Sequence, residues 1–152
     1  MAHIHALIDF TVTVFIINDS KVLLVNHPRY NKWLPIGGHI ELDEDPEQAL
    51  YREILEESGL KCKILGNKPD IQNESVKSLL SPRFMDVHDA GGGHKHISLV
   101  YFASTNSPDF KLSEEHSDMR WFTISDLDDN QMRLSPLDTL YAKAAIKAAT
   151  II

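Results

Sequence analysis

The stretch from Gly38 to Leu60 constrains this chain more than any other, because it contains a helix with well-marked ends and charges set against its own dipole. Asp45 suits the N-cap, Pro46 the first helical position, and Gln48, three residues after Asp45, completes a capping box. At the far end Gly59 suits the left-handed C′ position, with Leu60 placed to fold back on Leu55. These signals predict a helix over Pro46–Ser58, with Leu50, Ile54 and Leu55 as its apolar side. Glu53, Glu56 and Glu57 are related by i, i+3 and i, i+4 spacing, so their carboxylates crowd one face and repel. Glu56 and Glu57 also occupy the last turn, where the macrodipole favours Lys or Arg by ~0.3–1 kcal/mol. The stability of the helix alone does not account for that choice.

Arg52, one turn before Glu56, offsets part of the repulsion. One cation does not neutralise Glu53, Glu56 and Glu57 together with the neighbouring Glu41 and Glu44, whereas a divalent ion does. Clustered hard oxygen ligands suit Mg²⁺ or Mn²⁺, and Mg²⁺ is commonly shared between a few carboxylates and substrate phosphates. On charge alone, a solvated acidic face explains the pattern equally well.

Around the helix, residues 8–17 alternate Phe10, Val12, Val14 and Ile16 with Thr11, Thr13, Phe15 and Ile17, the period of a strand. Asn18-Asp19-Ser20 reads as the turn into a returning strand at 21–25, and Gly37-Gly38, after Trp33-Leu34-Pro35, as a break in the chain. Residues 61–65 read as a strand holding Cys62, and 66–81 as a polar connection. Residues 83–87 are expected to pair with 97–104 across the Asp89-Ala90-Gly91-Gly92-Gly93 turn. Residues 119–122 read as a short strand, Ser125 as the cap of a short helix, and Ser135, Pro136 and Asp138 as the start of a C-terminal helix. Short strands mixed with helices indicate a layered α/β or α+β domain.

A length of 152 residues with 43% hydrophobic residues fits one domain over 1–152. No apolar run approaches a membrane span, and Met1-Ala2-His3-Ile4-His5 lacks the basic and apolar regions of a leader, so a cytoplasmic location is expected. The single cysteine excludes an internal disulfide and a Cys-based zinc motif. A formal net charge of −7 argues against broad binding of a nucleic-acid polymer or an anionic membrane. An anionic small-molecule substrate would therefore need bound cations or a few local basic residues. Oligomeric state is left open, a homodimer included.

The charge ambiguity is reduced by a resemblance. The segment from Gly38 to Leu60 resembles the signature box of the Nudix hydrolase family, MutT-like, with Gly38, Glu44, Arg52, Glu53, Ile54, Glu56, Glu57, Gly59 and Leu60 in its set places. Trp33-Leu34-Pro35 before the box, and Met119-Arg120-Trp121-Phe122 with Ser125-Asp126-Leu127 after it, resemble the family's flanks. The resemblance implies the family fold, an α/β/α sandwich around a mixed β-sheet. It also implies metal-dependent attack of water on the pyrophosphate of a nucleoside diphosphate linked to another moiety.

By the same resemblance, Glu56 and Glu57 are expected to be primary metal ligands together with the carbonyl of Gly37, and Glu53 a ligand or the base. Arg52 and Glu44 are expected to fix helix and loop by an ion pair, in preference to a direct phosphate contact by Arg52, and Gly38 to lie against the substrate. A late acidic residue, Glu115 with Glu114 as its substitute, is expected to assist the metal or act as base, although a solvated loop is an equal reading. Arg29 and Lys32 are candidates for phosphate contact, and Trp33 or Phe84 for stacking on a base, against plainer readings as surface or core. His88, His94 and His96 flank the glycine turn, and His94 and His96 point the same way along a strand, so a second metal or a phosphate contact is one reading; satisfied or exposed histidines are the better one because no full ligand spacing accompanies them. Glu74 to Lys77 contains neither the proline of ADP-ribose enzymes nor the tyrosine of dinucleoside polyphosphate enzymes, which leaves a nucleoside triphosphate as the default substrate. Nucleotide sugars, ADP-ribose, dinucleoside polyphosphates and a non-catalytic nucleotide-sensing module remain the alternatives.

Overall fold

The computed structural model describes residues 5–129 and 131–150, so four of the five N-terminal residues read above for a leader lie outside it. Strand β1 (Ile8–Asn18) is the organising element, because both of its faces are apolar. Val12, Val14 and Ile16 point into one core with Ala49, Leu50 and Ile54 of helix α1 (Pro46–Ser58). Phe15 and Ile17 point into a second core with Tyr141, Ala142, Ala145 and Ile146 of helix α3 (Pro136–Thr150). Helices thus cover both faces of the sheet, as the sandwich expectation requires.

The sheet is mixed. Strand β2 (Lys21–His27) returns antiparallel to β1 through a turn at Asp19 and Ser20, whose φ values of 46° and 60° suit a tight hairpin. Strand β3 (Lys32–Leu34) and strand β8 (Asp118–Phe122) both pair with β2. Strand β4 (Ile36–His39) pairs antiparallel with β1, Thr11 opposite His39 and Thr13 opposite Gly37. The two-residue β5 (Lys63–Ile64) and the edge strand β6 (Phe84–Gly91) pair with β7 (His94–Ser104), which runs parallel to β1 with Asp9 opposite His96. The hairpin between β6 and β7 is longer than expected, with its turn confined to Gly92 and Gly93 at φ values of 64° and 77°.

Helix α1 has the expected ends. Asp45 accepts from the Gln48 N–H at 3.0 Å, Gln48 Oε1 accepts from the Asp45 N–H at 2.9 Å, and Gly59 closes the helix at φ 65°. Three local expectations are corrected. Leu55 is 63% exposed, so the apolar side runs through Leu50 and Ile54, and Leu60 enters the core without it. Thr123, not Ser125, caps the short helix α2 (Ile124–Leu127). Gly37 and Gly38 do not break the chain but lie inside β4. Cys62 precedes β5, packed against the first core, and burial pushes its thiol up to about 11. No described helix is long and apolar enough to cross a membrane.

Candidate active site

The last two turns of α1 bring three carboxylates and one guanidinium together. Arg52 donates from Nε to Glu44 Oε1 at 2.6 Å and from Nη2 to Glu44 Oε2 at 2.9 Å, a bidentate pair that ties the loop before α1 to the helix. Its Nη1 donates to Glu53 Oε1 at 2.7 Å and Glu56 Oε2 at 3.2 Å, and Nη2 also reaches the His39 carbonyl at 3.0 Å. These five bonds use every N–H of the guanidinium, so Arg52 acts as a brace and has no donor to spare for a phosphate. The bond to Arg52 holds Glu44 below the usual carboxylate range. Glu53 goes the other way: burial raises it, and the nearby Glu57 and Glu56 add to the rise despite Arg52. Glu56 stays mostly in solvent, 60% exposed.

Gly37 and Gly38 explain themselves in this setting. A Cβ at Gly38 would stand 2.1 Å from Glu53 Oε1, and one at Gly37 would stand 2.2 Å from the backbone oxygen of Val12. The absence of side chains lets β4 press against both β1 and the carboxylates. The Gly37 N–H donates to Glu57 Oε1 at 3.1 Å.

The other oxygen of Glu57 meets His116 Nε2 at 2.5 Å, with both side chains more than nine-tenths buried. His116 was missed in the sequence. In the loop before β8 the expected carboxylates, Glu114 and Glu115, are both exposed, while the next residue reaches Glu57. Nothing local marks His116, since the pair spans 59 residues.

Gly37 and Gly38 also line a cleft of about 480 Å³ on the α3 side of the sheet, together with Thr11, Thr13, Tyr30, Asp86, His96, Ser98 and Tyr141. No Lys or Arg lines it among the described residues. Of the candidate substrate contacts, Gly38 lines it, while Arg29, Lys32, Trp33 and Phe84 do not. Trp33 packs edge-on against Phe122 at 4.8 Å with Arg120 over its ring, Arg29 lies over Tyr30, and Lys32 is exposed on β3. Phe84 stacks on Tyr141 at 4.9 Å. Tyr30 brings an exposed phenol ring to the cleft wall, beside the half-exposed imidazoles of His39 and His88.

The histidines near the glycine turn lie on the same face as the cleft. His88 Nδ1 is held by Asp86 at 2.8 Å, while His94 and His96 converge with His39 and Asp9. Burial and the neighbouring His39, His88 and His94 hold His96 below the ordinary histidine range.

A carboxylate-bearing helix end seated on a diglycine strand, under a two-sided mixed sheet, defines the class that the sequence motif suggested. Residues 8–142 match the NUDIX domain, and the chain belongs to that family. It is similar to a hydrolase of the NUDIX family from Clostridium perfringens, with 34% identity and a TM-score of 0.83 over 93% of this chain and 97% of that one. Diphosphoinositol polyphosphate phosphohydrolase 3-alpha of Mus musculus is 43% identical over 116 residues, covering 71% of this chain and 58% of that protein. CTP pyrophosphohydrolase of Escherichia coli (strain K12) is 28% identical over 109 residues, covering 67% of this chain and 81% of that protein. The chain spans between 41% and 60% of the length of the first curated relatives it matches.

Proposed function

We propose that this chain is a Mg²⁺- or Mn²⁺-dependent pyrophosphohydrolase that cleaves a nucleoside triphosphate to the monophosphate and pyrophosphate. The observation that carries this reading is the approach of Glu53 to Gly38 and of Glu57 to Gly37, with Glu56 joined to Glu53 through Arg52, at two glycines that also line a cleft of nucleotide size.

The residues present fit a hard divalent ion. Glu53 and Glu56 share the Arg52 guanidinium with Glu44, Glu57 is not bonded to it, and burial works against the charge on Glu53, so a cation relieves a repulsion that the helix itself creates. Glu56 and Glu57 would hold the ion, with Glu53 and the Gly37 carbonyl sharing it. When bound, it neutralises charge developing on the phosphate oxygens and lowers the pKa of bound water.

The rest of the work falls to the chain. Glu53 orients the attacking water and takes its proton, a role that a carboxylate raised above its ordinary range suits. Gly38 leaves room for Glu53 beside the strand, and His116 and the Gly37 N–H orient Glu57. Arg52 and Glu44 keep helix and loop in register. Glu115 is exposed on the loop that carries His116 and makes no bond to these carboxylates, so the base role is assigned to Glu53.

A nucleotide suits the cleft better than a more highly charged inositol pyrophosphate, because no Lys or Arg lines it among the described residues. The test is incubation with Mg²⁺ or Mn²⁺ and a panel of nucleoside triphosphates, nucleotide sugars and dinucleoside polyphosphates, with product identification. Turnover confined to triphosphates supports the reading. Nucleotide binding without turnover of any member would instead indicate a sensing module.

A further inference from the structure

We infer that Asp9, His39, His94 and His96 form a second metal site, separate from the carboxylates of α1 and selective for a borderline transition-metal ion of the Zn²⁺ class. The ligands come from three strands and converge by register. Asp9 on β1 stands opposite His96 on β7, Thr11 of β1 stands opposite His39 on β4, and His94 precedes His96 by two residues. The period of two therefore puts all four side chains on one face of the sheet.

Their donor atoms are already close. His94 Nε2 lies 2.8 Å from Asp9 Oδ2, His39 Nε2 lies 3.5 Å from the same oxygen, and His39 Nε2 lies 3.3 Å from His96 Nε2. All four donors fall within 4.8 Å of one another. Metal–ligand bonds of ~2.0–2.1 Å in a tetrahedron place neighbouring donors roughly 3.3–3.4 Å apart, so these spacings need little adjustment. The side chains remain partly open to solvent, which leaves an entry path.

The donor set decides the metal. Three imidazoles and one carboxylate suit Zn²⁺ and its neighbours, whereas Mg²⁺ wants oxygen alone. The two sites thus separate by chemistry as well as by place. Four protein donors also make this a closed site of the structural kind, one that fastens β1, β4 and β7 together at the cleft. His39 links the two sites, since its backbone carbonyl accepts from Arg52 while its ring faces the cluster. The metal binding itself does not depend on the pyrophosphohydrolase reading.

The test uses tag-free, chelator-stripped protein titrated with Zn²⁺ by calorimetry in excess Mg²⁺. One equivalent is expected to bind the unmodified chain and to raise its melting temperature, as a ligand of the folded state does. In His94→Ala/His96→Ala, affinity is expected to fall about a hundredfold or more, because even outer-shell losses cost ~10–100-fold. Glu56→Gln/Glu57→Gln is expected to keep the Zn²⁺ equivalent. If the double histidine variant misfolds by circular dichroism, Asp9→Asn, which preserves shape, decides, with an expected loss of about tenfold or more. No Zn²⁺ uptake by the unmodified chain overturns the assignment, as does uptake unchanged by removal of these ligands or abolished by Glu56→Gln/Glu57→Gln.

Discussion

Glu57 permits a prediction in which catalysis and stability move separately. Its side chain is buried and satisfies two partners, the Gly37 N–H at 3.1 Å and His116 Nε2 at 2.5 Å. In Glu57→Gln the amide oxygen still accepts from the Gly37 N–H, and the amide nitrogen takes the place of the oxygen that meets His116 Nε2. Exchanging charge-assisted hydrogen bonds for neutral ones costs about 1 kcal/mol, and the lost repulsion with Glu53 and Glu56 offsets part of it. At ~2–4 °C per kcal/mol for a chain of this size, the melting temperature should shift by less than about 4 °C.

Glu57→Ala instead leaves both buried partners without an acceptor or donor, at roughly 1–3 kcal/mol each, and should melt more than about 4 °C lower. Turnover should behave alike in both variants. Loss of a metal ligand removes several kcal/mol of transition-state stabilisation, and ~4 kcal/mol corresponds to about a thousandfold in rate. Calorimetric melting with steady-state kinetics in saturating Mg²⁺ reads both quantities. Activity of Glu57→Gln within tenfold of the unmodified chain would refute the ligand role. Equal melting of the Gln and Ala variants would refute the account of the two partners.

Three further outcomes are expected. Gly38→Ala should fold and lose most activity, because its Cβ displaces only the flexible end of Glu53, whereas Gly37→Ala drives a Cβ into the backbone of Val12 and should cost ~1–3 kcal/mol in denaturant unfolding. His116→Ala should weaken Mn²⁺ binding at the carboxylates ~10–100-fold in calorimetric titration, as loss of a side chain that orients a ligand does. Glu53 has a folded pKa above its ordinary value of 4.5, so its contribution to stability is full below that value and is lost as pH rises through the raised one. In chelator, the melting temperature of Glu53→Gln should therefore gain on that of the unmodified chain as pH rises through the carboxylate range, and a constant gap would contradict the assigned direction.

Helix α1 was legible because its ends are local: Asp45, Pro46, Gln48 and Gly59 act on neighbours within a few residues. Its carboxylates were legible for the same reason, as their spacing places them without help from the rest of the chain. Leu55 was misread because both flanking turns offer apolar residues, and only packing on β1 decides that Ile54 turns inward and Leu55 out. Gly37 and Gly38 were misread because what requires glycine there, the Val12 carbonyl and the Glu53 side chain, belongs to other elements. His116, Asp9 and His39 carry no local signal at all. They become partners through β1, β4, β7 and the loop before β8, across separations such as the 57 residues between His39 and His96.

The most direct measurement of the central claim is phosphorus NMR of a nucleoside triphosphate incubated with the protein and Mg²⁺, followed in real time. The expected result is growth of nucleoside monophosphate and pyrophosphate signals in equal amounts, stopped by chelator and absent in Glu56→Gln/Glu57→Gln. Growth of nucleoside diphosphate and orthophosphate, or the same products from the double variant, would contradict it.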